Sequence, residues 1–144
     1  MVHFPDFFRI RQKFPRPVVR DLKAAVDSAL GQAGLPQRIS PGQTVAITAG
    51  SRGIANIAKI TRHCVDFCKG LGAVPFVVPA MGSHGGATAD GQRGVLERYG
   101  ITPDSMGCEI RSSMDVIEVC RAKEGFTVYF DRHASTADHV LVVN

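Results

Sequence analysis

A chain of 144 residues, 44% hydrophobic and 21% charged, is long enough to bury one real core and has the composition of an ordinary globular protein. No apolar run approaches the roughly 20 residues of a membrane-crossing helix, and the N-terminus lacks the apolar stretch of a signal peptide. These features predict a cytoplasmic protein with no membrane partner. The formal charge of +4 is concentrated early, in Arg9, Arg11, Lys13, Arg16, Arg20 and Lys23.

Residues 1 to 14 form an aromatic, partly alternating segment that predicts an edge strand, with Arg9, Arg11 and Lys13 as its wet face against Phe8, Ile10 and Gln12. Basic residues interleaved with Phe7, Phe8 and Phe14 are also compatible with a nucleic-acid surface, a weaker reading than a solvated strand face. Pro15 and Pro17 end the segment, and Pro17 suits the first turn of a helix. From Val18 to Leu30 the apolar residues recur at helical intervals, with Gly34 as the stop. Leu35 to Gly42, with two prolines, reads as a connector.

Thr44 to Thr48 is a short β-branched run and predicts a strand. Ile54 to Leu71 predicts the longest helix, stopped by Gly70 and Gly72. Val74 to Val78 predicts the next strand. Strand, helix and strand joined by short connections imply a parallel pair with a right-handed crossover. Thr88 to Tyr99 predicts a further helix, weakened by Gly91 and Gly94.

The last third is different. Residues 101 to 104 read as a turn, and Cys108 to Ser112, Val116 to Arg121 and Thr127 to Phe130 as short strands, the last two joined by a hairpin through Lys123, Glu124 and Gly125. His139 to Val143 is a final apolar strand. A chain that stops straight out of such a strand reads as part of a longer protein. The predicted fold is a single α/β domain over residues 1–144, with a mainly parallel sheet, helices on both faces and short antiparallel strands in the last third.

Two similar turns follow the strands predicted over Thr44 to Thr48 and Val74 to Val78. Gly50-Ser51-Arg52-Gly53-Ile54-Ala55-Asn56 and Gly82-Ser83-His84-Gly85-Gly86-Ala87-Thr88 share a pattern offset by 32 residues, about one strand plus helix. Open α/β sheets bind ligands at such strand-to-helix turns. Glycine lets the backbone approach a ligand, and amides at a helix start attract anions. Asn56 and Thr88 are residue types that cap helices. If the strands are parallel, Arg52 and His84 face one crevice as a fixed cation and a proton acceptor. A glycine-flanked histidine can equally serve its own turn, and Arg52 can be a plain loop cation. The pairing of the two motifs favours function.

Other candidates carry less. Cys64 and Cys68 lie on the stripe of Ile57, Ile60, Thr61 and Leu71, which predicts buried free thiols rather than metal ligands, and no metal site is expected. His3, His63, His133 and His139 read as surface or structural residues, and Asp131 with Arg132 as a local ion pair. Neither glycine turn is a dinucleotide fingerprint or a P-loop.

In the paired turns, over roughly residues 44 to 143, the sequence resembles the N-terminal part of the nickel-dependent lactate racemase family, whose members carry an Asp-x-[ST]-Arg turn and then a Gly-x-His turn before a Thr-initiated helix. Here these are Ala49-Gly50-Ser51-Arg52 and Gly82-Ser83-His84 with Thr88, with Ala49 in the place of the family's Asp. The resemblance implies racemisation or epimerisation of a 2-hydroxy acid, by proton abstraction coupled to hydride transfer to a nickel pincer nucleotide. It implies that His84 is one of two acid/base histidines and Arg52 a substrate contact. Gly50, Ser51, Gly82, Ser83, Gly85, Gly86 and Thr88 would meet the cofactor. The family's second histidine, cofactor-anchoring lysine and nickel-binding histidine lie beyond the span of this chain. The enzyme reading therefore needs a longer protein to complete the site; the alternative is a non-catalytic binding module for a small carboxylate or phosphate.

Overall fold

The computed structural model describes residues 7–143. Its centre is a three-stranded parallel sheet in the order β2-β1-β5, where β1 is Thr44–Ala49, β2 is Val74–Pro79 and β5 is His139–Leu141. β3 (Val116–Arg121) and β4 (Thr127–Asp131) form a separate antiparallel hairpin with a bulge between Glu118 and Cys120. The helices are α1 (Leu22–Gln32), α2 (Leu35–Arg38), α3 (Ile57–Gly70), α4 (Ala89–Arg98), α5 (Pro103–Met106) and α6 (Arg132–Ser135). A mixed α/β fold with a parallel sheet and a late antiparallel pair is the predicted class.

β1 is central because it can be buried on both faces. Val45, Ile47 and Ala49 face one way, onto Leu30, Ile57, Cys64, Val65, Cys68, Leu96 and Ile101, and Ala46 faces the other with Phe76, Val78 and Ala134. Fully burying a side chain such as Ile47 or Leu96 contributes roughly 1.5–3 kcal/mol. The two faces are covered unequally: α1, α3, α4 and α5 contribute to the first cluster, whereas α6 supplies Ala134 to the second, beside the Arg111 guanidinium 4.0 Å above the Phe76 ring. Asp138 ties the start of β5 to β1 by accepting from both the amide and the hydroxyl of Thr44 at 2.7 Å, and these bonds hold its carboxyl below the usual range.

Several boundaries move for identifiable reasons. α1 starts at Leu22, because Asp21 caps it by accepting from the Ala24 amide at 2.9 Å, and Val18 and Val19 stay exposed outside it. The connector after Gly34 contains the single turn α2, and the turn after residue 101 is the helical turn α5, closed by a capping box between Thr102 and Ser105. α3 starts at Ile57 rather than Ile54. Asn56 precedes it in the left-handed region at φ 62° and makes no side-chain cap, so the capping expected of it is not realised, whereas Thr88 does cap α4 through the Gly91 amide at 3.1 Å.

The 108–112 segment lies beside β2 through one parallel bridge, Val77 to Ile110, instead of a full strand. The edge strand expected over residues 1 to 14 is not formed over residues 7–14, where the chain is irregular and exposed; residues 1–6, with His3, lie outside the described part. Alternation supplies a strand with faces, but its backbone groups still need an edge to pair with. Among the described residues no helix is long and apolar enough to cross a membrane.

The buried thiol stripe is as expected: Cys64 and Cys68 are free and buried on α3, and burial pushes both thiols up to about 11, with Cys68 adding to the effect on Cys64. In a native-state reaction with a thiol reagent, exposed Cys120 should label rapidly and Cys64 and Cys68 only at the rate of unfolding. Labelling of Cys64 as fast as Cys120 would contradict this packing.

Candidate functional site

The register of the sheet decides how the two turns meet. Thr44 pairs with Val74, so corresponding points of β1 and β2 are 30 residues apart, whereas the turn motifs are 32 apart, from Gly50 to Gly82. The second motif thus begins two residues farther from its strand. That extra length, Ala80 and Met81, carries His84 back over the first turn.

The contact is direct. His84 Nδ1 lies 2.5 Å from Ser51 Oγ, and His84 Nε2 lies 2.8 Å from Arg52 Nη2. A guanidinium can only donate, so Nε2 is the accepting nitrogen in this arrangement, and the ring proton sits on Nδ1 and is donated to Ser51. The imidazole is therefore a neutral ring whose one basic lone pair is aimed at Arg52.

Around this trio is an open cleft of about 200 Å³, lined by Gly50, Ser51, Arg52, Ile54, Ala80, Met81 and His84. It is smaller than the roughly 300–1,000 Å³ typical of drug-sized sites, so it suits a ligand of a few heavy atoms. Arg52 is exposed and is the sole formal charge in the lining, with no carboxylate beside it, so the cleft favours an anion. Ile54 and Met81 provide apolar wall. The cleft lies beyond the carboxyl ends of two parallel strands, the usual place for a ligand in an open α/β sheet.

α4 and the residue after it hold both turns. Gln92, only 5% exposed, donates from Nε2 to the Gly82 carbonyl at 2.7 Å, and the Tyr99 hydroxyl donates to the Ser51 carbonyl at 2.8 Å. Thr88 caps α4 and its hydroxyl also donates to the Gly85 carbonyl at 3.2 Å. Gly85 and Gly86 adopt φ 66° and 70°, a region glycine enters without strain. Gly91, which weakens the helix on propensity alone, lets that turn settle on α4: a Cβ there would lie 1.7 Å from the Gly85 carbonyl oxygen.

Of the sequence candidates, Gly50, Ser51, Arg52 and His84 line the cleft together. Gly82, Ser83, Gly85, Gly86 and Thr88 shape the second turn without lining it. Gln92 and Tyr99 were not singled out from the sequence; Gln92, four residues after the Thr88 cap, had a positional signal, and Tyr99 had none. Ala49 is 1% exposed and faces the core, so that position directs no side chain into the cleft. His63 is half-buried on α3, His139 bonds Gln43 at 2.9 Å, and His133 lies in α6, all away from the cleft. The local ion pair expected between Asp131 and Arg132 is not formed: Asp131 caps α6 by accepting from the Ala134 amide, and Arg132 pairs with Asp115 at 3.8 Å instead.

No protein-family profile, characterised protein or solved structure matches the chain.

Two glycines of α4 give a contrasting test. Gly94→Ala has open space up to Arg98 Nη1 at 3.8 Å and should be neutral or stabilising by up to about 1 kcal/mol. Gly91→Ala should instead lose about 1–3 kcal/mol in denaturant unfolding despite its better helix propensity, because a backbone turn must move. Equal effects of the two changes would show that the turn does not rest on α4 as described.

Proposed function

We propose that the cleft binds a small 2-hydroxy acid, with Arg52 gripping the carboxylate and His84 accepting the hydroxyl proton, as half of a racemase or epimerase site. The observation that carries this reading is the bond from Arg52 to His84 Nε2, which joins an anion clamp to a proton acceptor within one small cleft.

A carboxylate offers Arg52 two parallel, charge-assisted bonds in place of one neutral acceptor. As the guanidinium turns to the ligand, Nε2 is released with its lone pair free. The bond from Nδ1 to Ser51 keeps the ring in the tautomer and orientation needed to take a proton. Backbone clamping by Gln92 and Tyr99 holds Ser51 and His84 in register without occupying the cleft.

Inversion of a carbon centre also needs a second proton-transfer group and a hydride acceptor. The nickel pincer nucleotide would supply the latter in a protein like the lactate racemases. The donor set of this chain does not fit it alone: no lysine lines the cleft, and among the described residues no group of three or more His, Cys, Asp or Glu side chains could hold a metal. Those groups would have to come from elsewhere. The second reading, a non-catalytic carboxylate or phosphate module, is favoured by one specific observation: His84 is the sole imidazole in the cleft.

Calorimetry with lactate, acetate and inorganic phosphate separates these readings. Arg52→Ala should weaken lactate binding roughly 10- to 100-fold, the loss expected for a charged hydrogen-bonded contact. His84→Ala should weaken lactate but leave acetate, which lacks the hydroxyl, nearly unchanged. Equal responses of lactate and acetate to His84→Ala would favour the binding module. Unchanged affinity in Arg52→Ala would remove both readings.

A further inference from the structure

Among the described residues, α6 touches the β3–β4 hairpin, but neither the outer edge of β3 nor the arm before α1 pairs with another strand. All six residues of β3 are exposed, and Val116, Val119, Phe126 and Tyr129 each show half or more of their surface. Two-stranded hairpins of this kind are marginal in water until a third strand or a packed face joins them. The arm is equally bare: Phe7, Phe8, Ile10 and Phe14 are between 67% and 95% exposed.

The two surfaces match in both chemistry and period. Directly opposed residues share a face of a sheet, so the register divides the hairpin into an apolar face of Ile117, Phe130, Cys120 and Val128 and a second face that carries Glu118 and Asp131 with Val116, Tyr129, Thr127 and Arg121. The bulge at Val119 keeps this division intact along β3. The arm alternates in the same way, with Phe8, Ile10 and Phe14 on one side and Arg9, Arg11 and Lys13 on the other, and residues 7–20 contain no acid. Laid as a strand along the free edge of β3, it carries its aromatic side onto the apolar face and its cations onto the face where β3 presents Glu118.

We propose that residues 7–14 of one chain add as a third strand to the β3 edge of a second copy, and that the exchange is reciprocal. Within one chain the arm and the hairpin are each exposed. Reciprocal exchange closes a twofold dimer with the same contact made twice, by the strand-addition mode that uses a free edge for affinity and alternate side chains for register.

Sedimentation equilibrium of the full chain tests this. The intact protein should have twice the chain mass, and removal of residues 1–14 should give a monomer that keeps its helical far-ultraviolet signal and its cooperative unfolding, because residues 7–14 are exposed and outside the core. A triple change, Arg9→Glu, Arg11→Glu and Lys13→Glu, should also give monomer, and adding Glu118→Lys should recover part of the dimer. A monomeric intact chain, or a dimer that survives removal of the arm, would overturn the proposal. So would a monomer whose arm binds an oligonucleotide with steep salt dependence, since the cations would then serve phosphates.

Discussion

The bond between the Arg52 guanidinium and His84 Nε2 is the interaction on which the site depends, and it has an internal tension. A cation placed on the lone pair of a base keeps that base idle, yet it is also the group that an incoming anion will most readily attract. The neutral imidazole is an adequate partner for Arg52 only while nothing better is present. Ser51, on the opposite ring nitrogen, ensures that the ring released by Arg52 is already in a usable orientation.

Forming that bond requires two segments to cooperate over a distance set by the sheet. Parallel pairing of β1 and β2 brings both turns to one edge, but equal turns on equal strands would leave Arg52 and His84 side by side without necessarily touching. The two additional residues after β2 and the positive-φ glycines at 85 and 86 fold the second turn back, and α4 secures it through Gln92 and the bare backbone of Gly91. Rigidity of the scaffold and reach of the loop are thus supplied by different elements, as expected where function sits on loops held by a packed sheet.

Much of this was legible in residue patterns. The β-branched run at Thr44, the apolar run at Val74 and the stripe from Ile57 to Leu71 each specify an element with one period, and each formed close to where expected. Arg52 and His84 were recognisable because their turns repeat. Three things were not legible. Ends of helices depended on single side-chain bonds, such as Asp21 to Ala24, that compete with propensity. The clamps by Gln92 and Tyr99 are long-range contacts with no local signature. The alternation in residues 7–14 was real as a pattern, but a strand also requires an edge, and a pattern does not state where that edge is.

The state of the His84 ring tests the central claim most directly. Long-range nitrogen–proton correlation spectra, recorded at a pH where the ring is neutral, distinguish the two tautomers. Nε2 should appear as the unprotonated nitrogen in the free protein, and its resonance should shift on addition of lactate, with Arg52→Ala removing the contrast between free and bound forms. A neutral ring carrying its proton on Nε2, insensitive to Arg52→Ala, would contradict the account.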